Sequence, residues 1–422
     1  MKLSPDNPLH RPGYRFFMLF QAVTSMGGGF HFVASHWILY KETGSPASMA
    51  WLVLSYMLPV FFINPICGVL VDRYKRRKLL VVGTGYSCLL DIGLLALMVS
   101  GNFEPWHLFV YSPLMSIGNA LYWTALPAFL RENLEKKELL HANGLNTALM
   151  QGGYLLGAGL AGIFYNVLGP VGSFSVDALG FGVGMLGWIA IQHWFKDSER
   201  VHPPGHQGHN FIREFSEGMR YARANLQLFF MALFGLVPRF AANSVNVLLA
   251  GFCKESLETG PKGFGILEMA YGFGAMICGL AIPGVLLKYG KKAWVPTASL
   301  LVAAGAIYQL AGAGTLGLAI VYMAFFGMFC HIVGIITWTT LQAECEERII
   351  GRMTSLVNIA NFMVNPLLIW CLGQYASLEA GLLVHEDPLR DGFVAVGLFY
   401  LVLSALSVAG VYPLLRKLGR NH

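Results

Sequence analysis

Asp91, Asp177, Arg239 and Glu268 each stand inside a run of apolar residues. A charged side chain in such surroundings costs several kcal/mol unless it is paired or hydrated, so it is retained for a purpose more often than a surface charge is. A carboxylate there can take up and release a proton, and an arginine can neutralise an acid or an anionic cargo. Asp91 and Arg239 carry that expectation most clearly, with Glu268 a further candidate. Asp177 lies near one end of its apolar run, where solvation or helix capping accounts for it. Imidazole is the side chain that titrates near neutral pH, and His31, His36 and His331 place three of them in similar runs. The proton-coupling candidates are therefore Asp91, Arg239, Glu268 and His31. The seven cysteines contain no Cys-x-x-Cys pair, so neither a zinc site nor a disulfide framework is expected.

The elements that must hold these groups are membrane spans. The chain has 422 residues, 55% of them hydrophobic and 12% charged, about half the roughly 25% charge of a soluble domain. Its mean hydropathy is +0.56. A water-soluble enzyme, a nucleic-acid reader and a disordered chain are all excluded by this balance. Roughly twelve stretches reach the length of about 20 apolar residues that a bilayer-crossing helix needs. They run over 15–40, 47–71, 79–100, 106–130, 141–168, 172–195, 227–250, 264–288, 293–313, 316–340, 353–377 and 392–415, and are called spans 1 to 12. About 24 of the Lys and Arg residues fall on the side that holds both termini and about 4 on the other, the positive-inside bias. The net charge of +6 is thus an orientation signal, with both termini cytoplasmic, and not a nucleic-acid footprint. No long soluble domain, P-loop or catalytic metal pattern is present, so neither an enzyme nor direct ATP coupling is expected.

The longest polar break divides the spans six and six. It predicts an N-terminal bundle over 1–195, a linker over 196–225 and a C-terminal bundle over 226–422. Within the linker, His202 to His209 reads as flexible chain. Phe211, Ile212, Phe215, Met219 and Ala222 then recur at helical spacing, as in an amphipathic helix lying on a membrane surface. The halves echo one another: span 2 ends in Gly68-Val-Leu-Val-Asp72-Arg73 and span 8 in Gly284-Val-Leu-Leu-Lys288, while Leu126-Pro-Ala-Phe-Leu-Arg131-Glu132 after span 4 is matched by Leu341-Gln-Ala-Glu344 after span 10.

The run Gly68-Val-Leu-Val-Asp72-Arg73-Tyr74-Lys75-Arg76-Arg77 closely resembles the loop 2–3 signature of the major facilitator transporters. It departs by having Lys75 where many members carry a second glycine. The Asp-Arg-x-x-Arg-Arg form is similar to the branch containing macrolide efflux pumps and the enterobactin exporter. So are Trp37-Ile-Leu-Tyr40, Leu139-Leu-His-Ala-Asn-Gly-Leu145, Glu217-Gly-Met-Arg-Tyr221 and Gly263-Phe-Gly-Ile-Leu267, in that order along nearly the whole chain. Gly144, Gly153, Gly157 and Gly162 in span 5 resemble the antiporter signature of exporters, with Ala158 and Ala161 replacing its proline and one glycine. Small residues there permit close helix contact.

The resemblance implies an all-α membrane protein, twelve transmembrane helices in two pseudo-symmetric six-helix bundles, with the substrate site at the bilayer midplane. Spans 1, 4, 7 and 10 line the cavity in that family. This nominates Gln21, Ser25 and His31, then Ser116, Asn119 and Trp123, then Arg239, Asn243 and Asn246, and finally His331 and Trp338. Gly68, Asp72, Arg73 and Arg76 fall on the conformational switch. Gly68 is expected to let a neighbouring helix approach, and Asp72 to cap a helix or pair with Arg76. The arginine that many proton antiporters carry in span 4 is replaced by Leu114, so coupling has to use other groups. The expected activity is export of a small organic molecule, a drug, macrolide or siderophore, by proton antiport across the inner membrane. The protein is expected to act as a monomer in the lipid bilayer, needing a proton gradient and no cofactor, metal or nucleic acid. An importer of a siderophore or other small solute, a lysophospholipid flippase and a non-transporting receptor are the alternatives.

Overall fold

The computed structural model describes residues 8–135, 138–195, 211–289, 294–345, 350–377 and 387–418, and some side chains within those stretches, such as Asp72, lie outside the description. Every regular element among them is helical. The helices are α1 (Pro12–Thr43), α2 (Pro46–Arg73), α3 (Arg76–Val99), α4 (His107–Asn133), α5 (Leu139–Ala190), α6 (Phe211–Ala224), α7 (Leu226–Phe234), α8 (Val237–Gly251), α9 (Gly260–Tyr289), α10 (Trp294–Ala311), α11 (Leu316–Glu344), α12 (Ile350–Tyr375) and α13 (Pro388–Leu418). Among the described residues nine helical stretches are long and apolar enough to cross a membrane, one of them Ala148–His193 within and just past α5. An unbroken helix of the 52 residues of α5 would be about 78 Å long, more than twice the roughly 30 Å hydrocarbon core. The element is in fact two spans. Gly169 adopts φ 62° and ψ −172°, a backbone state open to glycine, and Pro170 starts the returning arm with a preset φ and no N–H to satisfy. Counting α5 twice and adding α4 and α9 gives the twelve expected spans.

Other breaks have equally local causes. α1 ends where Gly44 turns left-handed at φ 61° and donates its N–H to the Tyr40 carbonyl, a glycine C-cap. Span 7 is divided into α7 and α8 around Gly235, with Pro238 near the start of α8, and passes at Phe252–Ser256 into a π-helical turn. The amphipathic helix expected over 211–222 corresponds to α6, whereas the 202–209 segment expected to be flexible lies outside the described residues.

The chain forms two compact units. The first takes in Met1–Gly44, Trp51–Gly205 and Pro261–Met269, and the second Ser45–Ala50, His206–Gly260 and Ala270–His422. These follow the sequence halves except for two short exchanges, each with a packing reason. A Cβ at Gly162 would lie 2.6 Å from the Pro261 carbonyl and 2.7 Å from Gly265 Cα, so the start of α9 sits directly on the first arm of α5. The start of α2 packs on the end of α12, where Ala47 N–H donates to Ser377 Oγ at 3.1 Å.

In the first unit α1 lies against both arms of α5. Toward the first arm, a Cβ at Gly153 would come 2.7 Å from the Ala22 carbonyl, and one at Gly157 would overlap that of Met26. Toward the second arm, Gly27, Gly180, Gly184 and Gly187 face Asp177, Val23, Thr24 and Phe20 in turn. Helices in lipid associate by such close packing because hydrophobic burial offers little drive there. Near the start of α1, Tyr14, Phe17 and Phe20 join Phe129, Trp188 and Phe195 in a buried aromatic core. Arg11 closes that end. Its Nε and Nη2 reach the two oxygens of Glu138 at 3.0 and 2.8 Å, and Nη1 donates to the Asn133 carbonyl at 3.2 Å. Glu138, only 1% exposed, also accepts from the Glu135 N–H at 2.8 Å.

The second unit repeats the glycine device. A Cβ at Gly274 of α9 would overlap the Ala324 carbonyl of α11, and one at Gly327 that of Tyr271. Arg390 ties the far end together, donating to the carbonyls of Ala311 at 2.6 Å and Ser256 at 3.3 Å while its Nε stands 3.5 Å from Asp387.

Candidate functional site

Four spans of the first unit bring His31, Asp91, Tyr111 and Asp177 together. α3 and α4 run antiparallel and touch where a Cβ on Gly83 would be 3.3 Å from the Gly118 carbonyl. Two helical turns further, Asp91 on α3 and Tyr111 on α4 share a face, and the Tyr111 hydroxyl donates to Asp91 Oδ1. α1 and the second arm of α5 touch where a Cβ on Gly27 would lie 3.0 Å from Asp177 Cα. One turn past Gly27, His31 Nδ1 meets Asp177 Oδ2 at 2.9 Å. The two pairs join through Tyr111, whose hydroxyl is 3.4 Å from His31 Nδ1. The rings of His31 and Tyr111 stack at 5.3 Å, and Phe174 stands edge-on to His31 at 5.2 Å, so the imidazole is held on two sides.

Burial makes the cluster electrostatically demanding. Asp91 is 0% and Asp177 1% exposed, whereas the His31 side chain is 23% exposed. Asp91 Oδ2 and both carboxylate oxygens of Asp177 have no hydrogen-bond partner among the described residues, His31 Nδ1 standing at ion-pair distance from Asp177 Oδ2. Like unit charges at about 4 Å repel by about 4 kcal/mol at an effective dielectric of about 20. One imidazolium offsets one carboxylate, which leaves the second to be balanced by a further positive charge. His31 Nδ1 and a carboxylate oxygen from each acid lie within 4.8 Å of one another. That donor set can be bridged by protons or by a small cation.

The remaining sequence candidates are distributed as follows. Gln21 is buried and accepts a hydrogen bond from the Tyr122 hydroxyl. Ser116 is buried and donates to the Pro113 carbonyl of its own helix at 2.7 Å, so both polar groups serve helix packing. Ser25 packs beneath Gly153, Asn119 is half-buried, and Trp123 is exposed. In the second unit Arg239 is exposed and Asn243 and Asn246 are half-buried on α8. His331 bonds through Nδ1 to the Gly327 carbonyl at 2.8 Å beside the Tyr271 ring. Trp338 lies outside the described side chains. Glu268 is buried at 4% exposure in the part of α9 that belongs to the first unit. The neighbours of Asp91 are His31, Tyr111 and Asp177.

Among the switch residues, a Cβ at Gly68 would meet nothing within 4 Å among the described residues, contrary to the close approach expected of it. Arg73 is exposed, Arg76 Nη1 stands 3.8 Å from Glu132 Oε1, and the side chain of Asp72 is outside the description. Of the four span 5 glycines, Gly153 and Gly157 pack on α1 and Gly162 on α9, while Gly144 lies outside the described side chains.

Two members of the cluster, Asp177 and Tyr111, escape sequence reasoning. Asp177 reads as a solvated end because its position is counted from the polar turn, whereas α1 covers it. A signal was present: Asp177, Gly180, Gly184 and Gly187 recur at intervals of three and four, which puts the acid on the small-residue face that receives another helix. Tyr111 gave none, being one tyrosine among 17.

Comparison with known proteins agrees with this architecture. The family described as Major Facilitator Superfamily matches residues 17–369. Macrolide efflux protein A of Streptococcus pyogenes is 24% identical over 350 residues, 82% of this chain and 85% of that protein. The multidrug efflux pump Tap of Mycobacterium tuberculosis is 22% identical over 427 residues, 95% of this chain and 96% of that one. Among solved structures, a POT family transporter in complex with 5-aminolevulinic acid superposes with a TM-score of 0.74 at 12% identity, covering 96% of this chain and 97% of that one. The nucleoside transporter NupG gives 0.71 at 12%, with 94% and 98% covered.

Proposed function

Because this chain belongs to the Major Facilitator Superfamily, we propose that it is a secondary active exporter, moving a small organic molecule outward across the inner membrane by alternating access in exchange for protons. The buried His31–Asp91–Tyr111–Asp177 cluster carries the coupling half of this reading. Two carboxylates and an imidazole, held away from bulk water by four helices, make a place where gaining or losing a proton changes the packing electrostatics of a whole unit. The direction and the cargo class rest on the relatives named for macrolide and multidrug efflux and on the span 5 glycines. A mostly apolar cargo with a few polar anchors suits such a transporter. Trp123 and Asn119 in the first unit, and Arg239, Asn243, Asn246 and His331 in the second, are the anchors we assign. Gln21 and Ser116 are left out of the anchors because the described bonds of Gln21 Oε1 and Ser116 Oγ lie within the first unit.

Purified protein in liposomes with an imposed pH gradient tests the reading, using a panel of macrolides, dyes and siderophores. Cargo should accumulate against its gradient and leak back when a protonophore is added. Asp91→Asn should abolish uphill transport while cargo-for-cargo exchange persists. Accumulation that ignores the protonophore would refute proton exchange.

A further inference from the structure

We infer that Asp91 and Asp177 act as one proton-holding pair, filled and emptied through His31, with Tyr111 as the positioning residue; the inference deepens the proton-exchange reading and rests on it. Three observations combine. The two acids are buried, and three of their four oxygens, Asp91 Oδ2 and both of Asp177, have no hydrogen-bond partner among the described residues. A proton lying between carboxylates supplies one with an O–H and the other with a donor. His31 alone among the four side chains has substantial exposure, 23%, against 6% for Tyr111 and less for the acids. Its Nδ1 also touches both Asp177 and the Tyr111 hydroxyl that binds Asp91. Solvent therefore reaches the pair through the imidazole.

The transfer balances simply. The Nδ1–H bond of His31 breaks as an O–H bond forms on Asp177 Oδ2, and the N–H electron pair stays on the ring. The bare Nδ1 regains a proton from water once the ring turns over within its stacking plane and brings that nitrogen to the exposed side. Unloading is the reverse. With the pair protonated once and His31 charged, the cluster has no net charge, and removal of the shared proton leaves one uncompensated negative charge inside the unit. Further groups acting electrostatically on the cluster are Tyr56 on α2, Cys88 on α3 and His36 on α1. None of these is a lysine or arginine. Tyr111 does not need to carry the proton. Its hydroxyl fixes the Asp91 carboxylate, and its ring fixes the plane of His31.

Infrared difference spectra of the full-length protein in liposomes provide the test, read at the stretch of a protonated carboxyl group over a pH series. The signal of the cluster is the wild-type band less that of the Asp91→Asn/Asp177→Asn double variant. A shared proton requires that Asp91→Asn and Asp177→Asn each remove the whole of that signal, since either acid left alone is matched by His31. Two acids that titrate separately would leave about half in each single variant, and that result overturns the inference. In transport, Asp177→Asn should lose uphill accumulation. His31→Gln should slow it at least tenfold while cargo exchange, which shows the protein is folded, persists in both. Tyr111→Phe should keep accumulation but shift its pH profile. Asp177→Asn that accumulates cargo at the wild-type rate refutes the pair. If wild-type accumulation needs no proton gradient, the exporter reading fails instead, and the infrared series still decides whether a proton is shared.

Discussion

Replacing Gly27 by alanine adds one methyl group at the place where α1 meets the second arm of α5. That Cβ would lie 3.0 Å from both Asp177 Cα and Asp177 Oδ1 and 3.3 Å from the Val176 carbonyl. Ordinary contact distances of about 3.5–4.0 Å then require the helices to separate by about 0.5–1 Å. His31 lies one turn away on the same helix, and its 2.9 Å contact with Asp177 would stretch to about 3.4–3.9 Å, past useful hydrogen-bond length. Losing a close charged contact of this kind is worth about 1.5–3 kcal/mol, or a factor of about 10–150 in whatever step depends on it. Overpacking adds about 1–3 kcal/mol of destabilisation. Gly28 supplies the control, because a Cβ there meets nothing within 4 Å. Alanine is also the better helix former, so Gly28→Ala should be neutral or slightly stabilising. The assay is initial-rate accumulation in proteoliposomes under a fixed pH gradient, alongside thermal unfolding in detergent. Gly27→Ala should lose at least tenfold in uphill rate with Gly28→Ala unchanged. Equal rates for the two variants would show that the Gly27 crossing does not set the His31–Asp177 geometry.

Other outcomes follow from contacts remote from that cluster. Glu138→Gln removes the charge that receives both arms of the Arg11 fork. Because Arg11 is partly exposed, thermal unfolding should report a loss of about 1–3 kcal/mol, below that of a fully buried pair. Arg390→Lys cannot span the Ala311 and Ser256 carbonyls together with Asp387, since an ammonium lacks the planar fork. It should lower stability by about 1–2 kcal/mol and leave the pH dependence of transport unchanged. Gly157→Leu forces a branched side chain onto the Met26 carbonyl and should prevent accumulation of folded protein, seen as loss of the monodisperse peak in size-exclusion chromatography.

The helical class and the spans could be read from composition and periodicity, because lipid demands long apolar runs and leaves few other solutions. Asp91 and His31 stood out for the same reason: ionisable groups in such runs are rare. What one sequence does not carry is which helix covers which. Asp177 is near the end of its span by counting, yet it is sealed by α1 through a row of glycines on two different elements, and only their juxtaposition reveals the burial. The same limit explains Gly68, whose motif suggested a close approach that the described neighbours do not make. It explains Gln21 and Ser116 as well, where a polar stripe on one helix looked like a binding surface until Tyr122 and the Pro113 carbonyl were found to use it.

The cluster is assembled from groups that a ribosome delivers far apart in time. His31 enters the bilayer with the first span, Asp91 with the third and Tyr111 with the fourth, but Asp177 arrives only after the chain has turned at Gly169. Until then Asp91 has Tyr111 but not its second acid, and the glycine face of α1 around Gly27 has nothing to close on. A nascent chain arrested between spans 4 and 6 therefore holds a carboxylate without its second acid and a row of bare glycines without their partner helix, a costly arrangement in lipid. Completion of the sixth span brings Asp177 and the glycines that follow it onto α1 and closes that face. The four side chains of the cluster thus also mark the moment at which the first half is finished.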